Sequence, residues 1–139
     1  MELSIAKEKY QFSTGIKSKV SKKKWIEFIE MNSGYFTWLE DTKAGKDTLS
    51  TLDKVPESFR EGVLKGHFKS QACAEFNAKK KYYEVIVDFI DDYGKVATTI
   101  MKPITKAHLR RLLDMANYLD AYLLNNGNEI IDDKFIESH

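Results

Sequence analysis

Two lysine-rich stretches are the residues here whose types could most directly do chemistry. Lys22, Lys23 and Lys24 precede Trp25, and Lys79, Lys80 and Lys81 precede Tyr82 and Tyr83. Cations beside aromatic rings are what single-stranded nucleic acids need, because lysine ammoniums neutralise phosphates and ring faces stack on bases. A joint patch requires the two stretches to meet in the fold, and lysines also serve simply to keep strand edges from pairing with other chains. Acidic residues gather elsewhere. Glu84, Asp88, Asp91 and Asp92 surround one turn, and Asp114, Asp120, Glu129, Asp132, Asp133 and Glu137 follow toward the end. A surface built from Asp88, Asp91 and Asp92 suits a basic protein partner, steering encounter and excluding that partner's natural substrate.

Catalytic and metal signatures are sparse. Glu84 and Asp88 fall on one side of an alternating segment, so a cation would find oxygens there but no fixed cage. His67 and Cys73 lie six residues apart, about 20 Å in an extended chain, too far to act as base and nucleophile. His108 belongs near the start of a helix, where a neutral imidazole helps to cap the backbone. The histidines and the cysteine have no zinc spacing, and the scattered glycines form no phosphate loop. No metal or cofactor is expected. An enzyme would have to assemble a cleft in space, from His67, Glu84, Asp88 and His108.

Composition sets the frame for these groups. The chain has 139 residues, 42% of them hydrophobic and 12% aromatic, with 7 Gly and 2 Pro, the profile of one packed globule and not of a disordered chain. A single compact domain over 1–139 is expected. The formal charge of +1 offers no whole-protein field toward nucleic acid or membrane. Charges recur too often for the run of about 20 apolar residues that a membrane span needs. The opening MELSIAKEKYQF is too charged for a signal-peptide core, and one cysteine forms no internal disulfide. The expectation is a soluble, cytoplasmic protein.

Periodicity supplies the elements. Residues 9–20 alternate polar and apolar types and predict a strand bent at Gly15. Ser21 can cap a helix to residue 31 with Trp25, Phe28 and Ile29 on one face, before Asn32-Ser33-Gly34 stops it. Tyr35–Glu40 predicts a short strand, 41–47 an exposed loop, and Pro56 the start of a short helix through Phe59 and Val63 to Gly66. Alternation over 67–77 and 83–89, a turn at Asp91-Asp92-Tyr93-Gly94, and a strand over 95–102 predict an antiparallel meander. A helix is expected from Thr105, its cap, to about 125, with Leu109, Leu112, Leu113, Ala116, Leu119 and Leu123 on one stripe. Asp120 falls inside that stripe, about 20° from Leu109, and either anchors a buried polar network or lies at the margin where the stripe twists out of the core. The tail, with Ile130, Ile131, Phe135 and Ile136, is expected to dock. The class is α+β, a mainly antiparallel sheet of about five strands with two main helices on one face.

Beside the leucines of the long helix runs a second stripe of Arg111, Met115, Tyr118 and Tyr122, residue types enriched at protein-binding hot spots. Something beyond the sheet must cover it: the tail, a second copy of the chain, or a partner. The residues therefore favour a non-enzymatic protein-binding module, of the inhibitor or immunity type. The rival is a small nucleic-acid-binding accessory domain using Lys22, Lys23, Lys24, Lys79, Lys80, Lys81 and Tyr82.

Overall fold

A computed structural model describes residues 1–54, 56–60 and 68–138. The expected short helix over 56–66 is helical at 57–60, and its remainder, with Val63, lies outside the described residues. Seven strands, all paired antiparallel, form one sheet: β1 (Leu3–Ala6), β2 (Thr37–Trp38), β3 (Gln71–Asn77), β4 (Tyr82–Ile90), β5 (Lys95–Ile100), β6 (Tyr122–Asn125) and β7 (Glu129–Ile130). Their order across the sheet is β2-β3-β4-β5-β1-β6-β7. The named helices are α1 (Lys22–Met31), α2 (Lys43–Ser50), α3 (Lys106–Tyr118) and α4 (Asp133–Glu137). The α+β class and the antiparallel sheet stand; among the described residues the sheet has seven strands where about five were expected.

The meander β3-β4-β5 follows the alternation. Ala72 pairs with Val87 and Ala74 with Val85, all in the core, whereas Cys73 pairs with Ile86 on the opposite face. Gly94 carries φ +65° in the turn between β4 and β5, and its N–H reaches the Ile90 carbonyl at 2.8 Å. On the core face Trp25 of α1 meets Trp38 edge-on at 5.4 Å and Phe89 at 5.5 Å, beside Leu109, Leu112 and Leu113 of α3. The Ser21 hydroxyl caps α1, accepting the Lys24 N–H at 3.2 Å.

Residues 9–20 are not a strand. They cross the surface with one 3-10 turn at Ser13–Gly15, and their backbone donors go elsewhere. Tyr10 N–H reaches the Gly127 carbonyl and Val20 N–H the Gly94 carbonyl, while the Glu8 carboxylate accepts from Lys17 and Ser18. The place beside β5 belongs to β1, whose four residues are all buried and therefore show no alternation.

The expected exposed loop at 41–47 is largely α2. Thr42 caps it by accepting the Gly45 N–H at 3.0 Å. Gly45 lies so close to the preceding turn that an added Cβ would fall 1.8 Å from the Leu39 carbonyl oxygen. The expected strand over 35–40 shrinks to β2.

The long helix stops at Tyr118, not 125. Ala121 donates to the Ala116 carbonyl at 2.9 Å and Asp120 to the Asn117 carbonyl at 3.1 Å, a Schellman termination with Asp120 at φ +53° in the position glycine favours. Leu123 and Leu124 then enter β6, one on each face. Asp120 is consequently no buried anchor: its side chain is 91% exposed and lies 3.7 Å from Lys7. The tail docks as expected through buried Ile131 and Ile136, and Asp132 caps α4.

Candidate functional site

Three residues far apart in sequence, Tyr35, Lys102 and His108, converge on Glu75. This residue sits in β3 with φ +57°, a conformation that turns its carboxylate out of the regular ladder. Oε2 receives the Tyr35 hydroxyl and lies 2.8 Å from His108 Nε2; Oε1 receives Lys102 Nζ at 2.9 Å. Lys102 also reaches Glu84 at 3.6 Å, and the Arg111 guanidinium stacks 3.8 Å over the Tyr35 ring. His108 Nδ1 accepts the Thr105 N–H at 3.0 Å, which places the imidazole proton on Nε2, directed at Glu75. Thr105 accepts the His108 N–H in return, closing a capping box at the start of α3.

Partial burial alone would raise the Glu75 carboxyl. The bonds from Lys102, Tyr35 and His108 outweigh it and pull the group down to about 2. Tyr35 moves upward, through burial and through its bond to the Glu75 carboxylate. A carboxylate held so low is a weak base, and both imidazole nitrogens are engaged. The cluster spends its polar groups on tying β3, α3 and the Tyr35 segment together. Of the four residues expected to form a catalytic cleft, Glu84 and His108 meet this cluster. Asp88 lies four residues from Glu84 along β4, about 13 Å away, and His67 is outside the described residues. Burial raises the Asp88 carboxyl, opposed by its bond to Gln71. Among the described residues no three His, Cys, Asp or Glu side chains are placed to hold a metal ion.

The sheet face opposite α1 and α3 carries a groove of about 780 Å³ between α2 and the β3-β4 hairpin. Leu39, Cys73, Phe76, Tyr83, Ile86 and Met101 line it. Phe76 is 54% and Met101 44% exposed, large apolar side chains that the core does not use. The Phe76 and Tyr83 rings pack edge to face at 5.0 Å. Burial, with the nearby Glu40 charge, pushes the Cys73 thiol up to about 11, so it remains a protonated, inert floor residue. Lys43, Asp47, Gln71 and Lys81 bring polar groups to the lining.

The expected docking stripe on the long helix is not continuous. Met115 is fully buried in the core. Tyr122 lies in β6, beyond the end of the helix, and is 48% exposed. Tyr118, 37% exposed, bonds Glu27 at 3.0 Å and packs on Phe28, and Arg111 is held on Tyr35. Asp91 pairs with Lys22 at 3.2 Å, Asp88 is half-buried, and Asp92 is exposed. The two lysine stretches do not meet. Lys22 lies beside Asp91 and Phe89, past one end of β4, whereas Lys79–Lys81 form the turn at the other, about 26 Å along the strand.

Sequence reasoning missed Glu75, Tyr35 and Lys102, as well as the groove. The Thr105-x-x-His108 spacing was the one local signal pointing to that cluster. Among the described residues no helix is long and apolar enough to cross a membrane. No family model matches the chain, and no curated protein or solved structure matches it.

Proposed function

We propose that the chain is a non-enzymatic protein-binding module of the inhibitor or immunity type, docking its partner in the groove between α2 and the β3-β4 hairpin. One observation carries this reading: a concave apolar surface of about 780 Å³ bearing half-exposed Phe76 and Met101 on the face the core leaves open. Exposed apolar concavities of this size recur where proteins take up ligands or partner side chains. The Glu75 cluster supports the reading indirectly, since its titratable groups are engaged with one another. A single cysteine, with no second one in the chain to form a disulfide, suits a reducing, cytoplasmic setting.

Nucleic-acid binding is the second reading, favoured by Lys79–Lys81 and Tyr82 at the hairpin end of the same groove. Lys22, Lys23 and Lys24 then contribute to a separate surface, not to a joint patch.

The test is capture of partners from the native cells by tagged wild-type chain and by Phe76→Glu, at low and at moderate salt. A stoichiometric protein held by the wild type and lost by the folded variant supports the first reading. Nucleic acid that washes away with salt supports the second. An identical protein on both chains removes the groove as the docking site.

A further inference from the structure

We propose that the groove takes an acidic segment carrying apolar or aromatic anchor side chains, contributed by a partner protein. This rests on the protein-docking reading of the groove and adds the chemistry of what docks.

The inference comes from two exposed lysines on the walls of an apolar groove. Lys22, Lys69 and Lys102 each hold a carboxylate of the chain, Asp91, Glu30 and Glu75 respectively. Lys43, in the first turn of α2, and Lys81, in the β3-β4 turn, line the groove from its two walls and are exposed. Neither makes an ion pair among the described residues. Lys79 and Lys80 extend the same turn, where the Asn77 side chain accepts their backbone N–H groups at 3.1 and 3.0 Å and so fixes the backbone carrying these cations. Two unpaired ammoniums facing one apolar groove present complementary charge to carboxylates that flank buried anchors. Asp47 on the α2 wall offsets part of that positive charge, so a backbone with a phosphate at every residue meets more repulsion there than a peptide whose carboxylates alternate with apolar side chains. An acidic peptide can place an anchor side chain there instead. Leu39, Ile86 and Met101 give the groove an aliphatic stretch suited to an apolar anchor side chain. The acidic β4-β5 turn gave the contrary expectation of a basic partner, but there Lys22 neutralises Asp91 and Asp88 is half-buried.

The experiment uses the full chain and three fluorescein-labelled probes: a short peptide of alternating Glu and Phe or Leu, the same peptide with every Glu replaced by Lys, and single-stranded oligo-dT. Anisotropy is read at low and moderate salt for the wild type, Lys43→Glu/Lys81→Glu and Phe76→Glu, each checked for an unchanged melting transition. The acidic peptide is expected to bind tightest, to weaken with salt, and to lose at least about tenfold in affinity in the lysine variant and in Phe76→Glu. Equal or tighter binding of the basic peptide, still lost in Phe76→Glu, overturns the acidic preference and leaves the groove standing. Tighter binding of oligo-dT overturns it in favour of nucleic acid. If no probe binds, or binding is the same in wild type and Phe76→Glu, the groove reading itself fails and this inference with it.

Discussion

His108 donates its Nε2 proton to Glu75 across 2.8 Å while its Nδ1 accepts the Thr105 N–H at 3.0 Å. One imidazole thereby closes the N-terminus of α3 and ties that helix to the irregular point of β3. The pair anchors the sheet beside the proposed docking groove, and removing either partner leaves polar groups partly buried without acceptors.

Glu75→Ala strands Tyr35, His108 and Lys102 together. Stability should fall by about 2–3 kcal/mol, read as a lower urea midpoint. Glu75→Gly loses the same bonds but relieves the left-handed φ of +57°, so it should be about 1 kcal/mol more stable than the alanine variant. Equal midpoints for the two would show that the backbone there is not strained.

Acid should expose the same cluster. The Glu75 carboxyl is held at about 2 against an ordinary 4.5, so its contribution is complete above about pH 5 and is lost as pH falls toward 2. Its side chain is 25% exposed, and allowing for that screening the loss is about 2 kcal/mol. Stability followed from pH 6 to pH 2 should therefore drop by about that much more in the wild type than in Glu75→Gln. Parallel curves would refute the assignment.

Asp120→Gly should stabilise the chain by about 0.5–1 kcal/mol, because glycine adopts φ +53° freely and the lost ion pair to Lys7 is solvent-exposed. Calorimetry gives the sign directly. A lower melting temperature would mean that the Lys7 contact outweighs the backbone strain.

Gly45→Ala forces a methyl group onto the Leu39 carbonyl oxygen, 1.8 Å away, and should cost about 2–4 kcal/mol or displace α2. Because α2 forms one wall of the groove, binding of the acidic peptide should weaken even under conditions where the variant remains folded. Native-like stability with native-like binding would place α2 elsewhere.

What the sequence disclosed follows burial geometry. The β3-β4-β5 meander was legible because one of its faces is packed and the other is open to α2 and solvent, which writes alternation into residues 71–100. Leu3–Ala6 was invisible because it is buried on both faces, and residues 9–20 misled because alternation alone cannot say where backbone donors go. The leucine spacing ran on smoothly from Leu119 to Leu123, hiding a Schellman stop built on an aspartate in place of glycine. Met115 was credited to a docking stripe because it neighbours Arg111 and Tyr118, yet it packs inward. The Glu75 cluster joins positions 35, 75, 102 and 108, and no local pattern registers contacts so distant in sequence.

The most direct test of docking in the groove is amide hydrogen exchange of the chain with and without its purified partner. Slowed exchange concentrated in residues 39–47 and 71–86, with α3 unchanged, is the expected result. Protection confined to α3 and to the region around Tyr122, with the groove amides exchanging as in the free chain, would contradict the account.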